Sequence, residues 1–344
     1  MKKSLLPASR KSVTIDLGND KDIKVKLKHV IVPPGKKIRL GKDYDPRFTG
    51  GFRDKEAAIE RVQENTTLLS ELQDKLYAQN TWAVLILFQG LDAAGKDGVI
   101  KHVMSGVNPQ GCNVTGFKVP SSGELAHDYL WRCVLELPRR GMIGIFNRSW
   151  YEEVLVARVH PGVLDRQNIP EHFKGKGIWK RRFEQINNFE KYLTENGVVV
   201  LKFFLNVSKK EQGRRFAERI ARPEKNWKFS SSDYAERQHW DDYQAAYEDC
   251  LNHTSTPWAP WFVVPADNKW FTRFSVSETI VRVLKRLSLR YPNVSEEQRQ
   301  KLAAIGKQLE KELPKAKVKT KTKAKGGSGP KTGGKAGTKR GKKT

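Results

Sequence analysis

Residues 82–89 read WAVLILFQ, and the chain runs from them directly into GLDAAGKDG at 90–98. An uncharged run of strand length without alternation reads as a strand covered on both faces, as in a parallel sheet. The glycine loop opens a helix, VIKHVMSGV, at 99–107. A strand, a glycine loop and a helix N-terminus in succession aim backbone N–H groups at one point, where they can cradle a phosphate. That junction points to an α/β sheet with the loop at its C-terminal edge.

The rest of the chain agrees. Three more apolar runs follow, MIGIF (142–146), VVVLKFFLNV (198–207) and WFVVPAD (261–267), with a weaker one in NVTGFKVP (113–120). Helical periodicity occupies 54–79, 123–136, 178–195, 208–221, 233–251 and 270–290. Strands alternating with helices predict a doubly wound parallel sheet. Residues 1–53 read as a Lys-rich N-terminal extension whose patches VTIDL and IKVKLKHVIV add a strand or two to the main domain at 54–292. A C-terminal helix is expected over 293–313. The Lys/Gly-rich tail at 314–344, with one Val and no aromatic residue, is expected to be disordered.

The net charge is +26, and the twelve Lys and Arg residues from Lys315 to the end come with no acid. Removing those twelve leaves +14 on the folded part, which calls for an anionic partner. Cys112, Cys133 and Cys250 are an odd number with no C-x-x-C spacing, so neither a disulfide framework nor a zinc site is expected. No run approaches the roughly 18 apolar residues of a membrane span, and MKKSLLPASRKS lacks a signal-peptide core. The expected location is the cytoplasm, with no membrane partner.

The loop matches G-x-x-x-x-G-K through Gly90, Gly95 and Lys96, but Asp97 stands where a Ser or Thr hydroxyl normally holds Mg²⁺. Asp92 offers a carboxylate for a relocated metal; its plainer reading is a loop-shaping Asx turn. Lys96 is a point charge for the transferred phosphoryl group. Asp97 reads as a helix-start residue favoured by the N-terminal dipole. The strand at 142–146 ends in NRSWYEE, so Asn147 stands where an acid would be expected and must serve through its amide oxygen or a water. Arg148 beside it suits charge stabilisation on a phosphoryl group, although an Asn-Arg pair can also simply cap a helix.

GLDAAGKDG, VNPQG…FKVPSSGELAHDYLWR (107–132), IFNRSWYEEVLVARV (145–159), RRFAERIARPEKNWKFSSSD (214–233) and TSTPWAPWFVVPADNKWFTR (254–273) together resemble the second family of polyphosphate kinases. The resemblance spans roughly 40–290. FNRS and the KDYDP…GGF lead-in are similar to its class III branch, which acts on nucleoside mono- and diphosphates. The resemblance implies a P-loop kinase core with a helical lid at about 208–232, a homo-oligomer, and Mg²⁺, with Mn²⁺ as substitute, organised by Asp92 and Asn147. It implies phosphate contacts from Gly90, Ala93, Ala94, Gly95, Lys96, Asp97 and Gly98, from Arg148 and Arg158, and from the lid residues Arg214, Arg219, Arg222, Lys225 and Lys228. Phe117, Lys118, Arg132 and Glu153 would line the nucleotide side.

The reaction so implied moves the terminal phosphoryl group of inorganic polyphosphate to AMP or ADP, giving ADP or ATP, and is reversible. A phosphate acceptor is already an anionic nucleophile, which explains why no Ser/His/Asp arrangement is found or needed. Two alternatives use the same features: an ATP-driven nucleoside monophosphate kinase, and a non-catalytic nucleic-acid-binding P-loop protein gripping through its basic tail. That tail is also suited to polyanions in general.

Overall fold

A computed structural model describes residues 12–15, 23–26, 30–52 and 55–313. Strands β1 (Ser12–Ile15) and β2 (Ile23–Lys26) form an antiparallel pair of their own. The strands β3 (Ala83–Gln89), β4 (Cys112–Gly116), β5 (Ile143–Asn147), β6 (Val198–Asn206) and β7 (Trp261–Pro265) form one parallel sheet. Their order is β4-β5-β3-β6-β7.

All seven residues of β3 are buried. Alternation decides which face each serves: Val84, Ile86 and Phe88 join one core, Leu85 and Leu87 the other. Both faces are apolar because helices cover both, which is why the run reads as continuous rather than alternating. β4 is an edge strand with three of its five residues exposed, hence its weaker sequence signal.

The longer helices are α1 (Glu56–Gln79), α2 (Lys96–Val103), α3 (Ile178–Glu195), α4 (Lys209–Ala221), α5 (Ser231–Gln238), α6 (Trp240–Thr254), α7 (Lys269–Arg286) and α8 (Glu296–Glu312). Helix α7 supplies Val276, Ile280 and Leu284 to the first core, and α6 supplies Tyr247 and Leu251 to the second. The segment at 30–32 runs antiparallel to β7, with Val32 N donating to Trp261 O at 2.9 Å. The expected strand of the N-terminal extension is thus a short cover on the β7 edge.

Two expected helices are broken. In place of 123–136 stand Ser122–Leu125 and Trp131–Val134, because the Asp128 carboxylate accepts from Leu130 N and turns the chain between them. The helix expected at 233–251 is interrupted at His239, where α5 gives way to α6. Between 150 and 174 lie four short helical turns without enough length to show a helical period.

Contacts divide the chain into two units, Met1–Pro292 and Asn293–Thr344. In the second, α8 begins with a capping box between Ser295 and Gln298 and buries none of its side chains. The tail expected at 314–344 lies outside the described residues. Among the described residues, no helix is long and apolar enough to cross a membrane. Cys112, Cys133 and Cys250 are free thiols.

Candidate active site

The register sets Phe88 opposite Asn147 and Gln89 opposite Phe204, so the loops leaving β3, β5 and β6 meet at one edge. Successive connections leave β3 toward β4 and β5, then turn the other way toward β6 and β7. Such a reversal opens a crevice at the strand ends.

The loop at 90–98 is held in left-handed conformations, with φ of 156° at Gly90, 60° at Ala93 and 108° at Gly95. A Cβ at Gly90 would stand 3.0 Å from Leu205 O, so β6 itself excludes any larger residue there. The Lys96 ammonium folds back over the loop and donates to Gly90 O at 2.6 Å. Burial, with Arg148 nearby, holds its pKa below the ordinary lysine value. Gly98 faces open space. Asp97, one residue into α2, accepts from Asn147 Nδ2 at 2.6 Å and ties the helix start to the end of β5.

Arg148 also has a left-handed backbone, φ 70°, while its N–H reaches Phe88 O at 3.0 Å. A non-glycine residue in this region stores strain that the neighbouring strands must hold. The result aims the guanidinium at the loop, where Nη2 lies 3.0 Å from Asp92 Oδ1 and Nη1 3.5 Å from Glu152 Oε2. Gln89, with its amide nitrogen turned toward Glu152 Oε1 (2.8 Å), accepts from Ser149 through its oxygen. Burial raises the Glu152 carboxyl above the usual range, against the pull of Arg148 and Lys96.

Asp92, Lys96, Arg148 and Glu152 therefore form one cluster. Glu152 is the member that reading the sequence missed; no local signal marks it, since Arg148 has a left-handed backbone and the helical turn begins only at Trp150. Its neighbour Glu153 instead accepts from Gln167 and from buried Arg182, each at 2.6 Å. Its carboxylate is thus committed to protein partners, although Glu153 still borders the neighbouring pocket.

That pocket is lined by Phe117, Lys118, Tyr129, Arg132, Arg148 and Arg166, among others. Arg132 lies over the Phe117 ring at 5.1 Å, donates to Lys118 O at 2.8 Å and pairs with Glu124 at 3.3 Å. Lys118 and Arg166 point exposed cations at the same space. Aromatic walls and an excess of cations suit a ring joined to phosphates.

The basic residues expected in the lid divide sharply. On α4, Gln212, Arg215 and Phe216 form the buried face. Arg215 donates to Ala93 O at 2.9 Å, Ala94 O at 2.8 Å and Ala266 O at 2.5 Å, while Gln212 donates to Asp92 O at 3.0 Å. The root of this helix is bolted to the phosphate loop. Helical period, i, i+3, i+4, is the signal that separates Arg215 from Arg214. The outer cations pair within the segment itself: Arg214 with Glu211 at 2.6 Å, Arg222 with Glu224 at 2.6 Å, and Lys225 with Glu218 at 2.6 Å. Lys228 sits 4.9 Å from the Trp227 ring. Arg219 lies 3.8 Å from Asp233, whose carboxyl is raised by burial and then by Asp92. Arg158 is away from the loop, paired with Asp249 on α6.

Among the described residues, no three His, Cys, Asp or Glu side chains form a metal cage. Asp92 has one oxygen on Arg148, and Asn147 uses its amide nitrogen on Asp97, leaving the second Asp92 oxygen and the Asn147 amide oxygen as hard donors. Such a sparse set fits Mg²⁺, which takes one or two protein ligands and completes its shell with phosphate and water.

A central parallel strand, a phosphate loop with its lysine, and a helix braced over that loop define a P-loop kinase fold. The sequence profile described as "Polyphosphate kinase 2 (PPK2)" matches residues 52–291, and the chain belongs to this family. It is 49% identical over 291 residues to the "ADP-polyphosphate phosphotransferase" of Rhodopseudomonas palustris, covering 84% of this chain and all of that protein. It is 43% identical over 267 residues to the "AMP/ADP-polyphosphate phosphotransferase" of Meiothermus ruber, covering 77% and 96%. The crystal structure of polyphosphate kinase 2 from Arthrobacter aurescens TC1 superposes with a TM-score of 0.73 at 37% identity, covering 81% of this chain and 95% of that one.

Proposed function

We propose that this protein is a polyphosphate-dependent nucleotide kinase that moves the terminal phosphoryl group of inorganic polyphosphate to AMP and to ADP. The observation that carries the reading is the meeting of the phosphate loop with a cation-rich aromatic pocket through one residue, Arg148. The names of the two relatives above support the substrates.

In this mechanism the loop amides and Lys96 hold the donor's terminal phosphates, and Arg148 faces the equatorial oxygens of the transferred group. Asp92 and Glu152 fix Arg148 from two sides, so its charge is already oriented when charge develops. The acceptor phosphate lies in the pocket against Lys118, Arg132 and Arg166, with the ring on Phe117 and Tyr129. Asp92 and the Asn147 amide oxygen would hold a divalent metal, Mg²⁺ or in its place Mn²⁺, which supplies charge neutralisation between the phosphates. Phosphate binding draws Lys96 off Gly90 O and competes for the outer cations Arg214, Arg219, Arg222, Lys225 and Lys228. Segment 208–232 thus acts as a lid that excludes water. Residues 54–292 make the catalytic domain; the basic tail is accessory, and the chain assembles as a homo-oligomer in the cytoplasm.

The test supplies AMP, Mg²⁺ and polyphosphate without ATP. ADP and then ATP are expected by chromatography, and their absence sinks the reading. Activity that appears only on adding ATP as donor establishes the nucleoside monophosphate kinase alternative instead.

A further inference from the structure

Helix α6 packs on the face of the sheet to which Gln89 belongs. Gln89 ends β3 in the same alternation as Leu85 and Leu87, and Phe204 stands opposite it on β6. The Tyr247 ring stacks on Phe204 with centroids 4.2 Å apart. Tyr247 thus lies beside the residue whose amide reaches Glu152. Tyr243, one turn earlier on α6, joins the same core.

The two tyrosines use their hydroxyls differently. Tyr243 OH donates to Glu236 Oε2 at 2.7 Å, an oxygen that also lies 2.9 Å from His160 Nε2. Tyr247 is 4% exposed, yet its hydroxyl has no hydrogen-bond partner among the described residues. Of the charged groups around it, Glu152 acts on it most strongly, ahead of Arg148. Burial, and then Glu152, hold the phenol well above its ordinary pKa, so its proton stays available to an acceptor across the neutral range.

Glu152 has room for that donor. Its Oε1 takes the Gln89 amide at 2.8 Å, and its Oε2 has the long 3.5 Å contact with Arg148. The carboxylate is faced by Arg148 from its own segment, by Lys96 and Asp92 from the phosphate loop, and by Tyr243 and Tyr247 from α6. In the proposed mechanism Arg148 and Lys96 turn toward bound phosphate, which leaves a buried carboxylate short of compensation. With Tyr243 spent on Glu236, Tyr247 is the tyrosine of this pair still free to donate.

We propose that Tyr247 is a positioning residue: its hydroxyl donates to Glu152 when phosphate occupies the loop, holding that carboxylate in place and Arg148 aimed at the transferred group. The assignment rests on the proposed phosphoryl transfer. It gives the unpartnered hydroxyl an acceptor at the moment when Glu152 needs a donor.

A double-mutant cycle of Tyr247→Phe and Glu152→Gln tests this. Phenylalanine keeps the ring on Phe204, so the melting temperature of the free protein should move by less than about 2 °C. In Tyr247→Phe, kcat with AMP and polyphosphate is expected to fall about tenfold, the scale of one hydrogen bond to a charged group. Calorimetric titration with tripolyphosphate, which needs no turnover, should show about threefold weaker binding. In the Glu152→Gln background the same substitution should change either quantity by less than about 1.5-fold. Unchanged kcat and affinity in Tyr247→Phe, or equal losses in both backgrounds, overturn the role. Should Glu152→Gln turn over too slowly to follow, the affinity cycle decides alone. A wild type that transfers nothing but shows the coupled loss of tripolyphosphate affinity refutes the donor reaction alone.

Discussion

Two buried lysines, Lys202 and Lys96, meet opposite fates. Lys202 lies in the middle of β6 with no exposure, and its ammonium donates to Glu190 Oε2 at 2.6 Å, Tyr151 OH at 2.9 Å and Thr254 O at 2.6 Å. All three protons are used and the charge is paired. Lys96 is nearly as buried, but its hydrogen bonds go to the carbonyls of Gly90 and Leu91, while the carboxylate of Asp92 is engaged by Arg148. Burial lowers the pKa of both. One lysine is finished within the protein, and the other is left short of negative charge. The difference teaches that the site is identified less by burial than by incomplete compensation, which a phosphate would supply.

The largest expected effect tests the completed pair. Lys202→Met should cost about 3–5 kcal/mol by denaturant unfolding, because the buried Glu190 carboxylate loses its cation and Thr254 O loses its donor. Adding Glu190→Leu should return much of that loss. Lys96→Met should instead keep or raise the melting temperature at neutral pH. Lys96 donates only to the carbonyls of Gly90 and Leu91, so methionine removes a buried charge there without leaving a buried carboxylate unpaired. A loss at Lys96 equal to that at Lys202 would erase the distinction.

Turnover should reverse the ranking of the two sites. Lys96→Met should lower kcat by about 10²–10³ in the polyphosphate assay, the scale of losing one preorganised charge at a transition state. Near-normal turnover would remove Lys96 from the mechanism.

The smallest effect concerns Glu152. Its folded pKa is raised by burial. At acid pH the carboxyl is neutral in both folded and unfolded states and carries no penalty. As pH rises through the folded pKa, ionisation in the buried site weakens folding. The melting temperature of Glu152→Gln relative to the wild type should therefore climb as pH rises above the ordinary glutamate range. A gap that does not change with pH would show that Glu152 is not ionised against burial.

Much of the architecture was legible because local patterns carry it. WAVLILFQ, VVVLKFFLNV and WFVVPAD each became strands of one parallel sheet, and the period at 178–195 matches α3 at both ends. The broken helices were not legible, since a single Asx turn at Asp128 outweighs the surrounding propensity. In the candidate site, Asp92, Lys96 and Arg148 stood out by their place at strand ends. Glu152 and Glu153 did not separate, because adjacent residues differ only in the direction the chain gives them. One faces Arg148 and the other Arg182.

The sequence alone determined that a phosphate loop would follow a doubly covered strand, because hydrophobic runs and glycines act within a few residues. It also determined the excess of positive charge. Only the tertiary structure decided how that charge is distributed among roles. Arg215 became a brace for the loop, Arg158 a partner of Asp249, Lys202 a core ion pair, and Lys269 and Arg273 the cations of a small groove beside the loop. A cation's role depends on which acids and carbonyls come within a few ångströms, and residues distant along the chain meet only when the sheet is assembled.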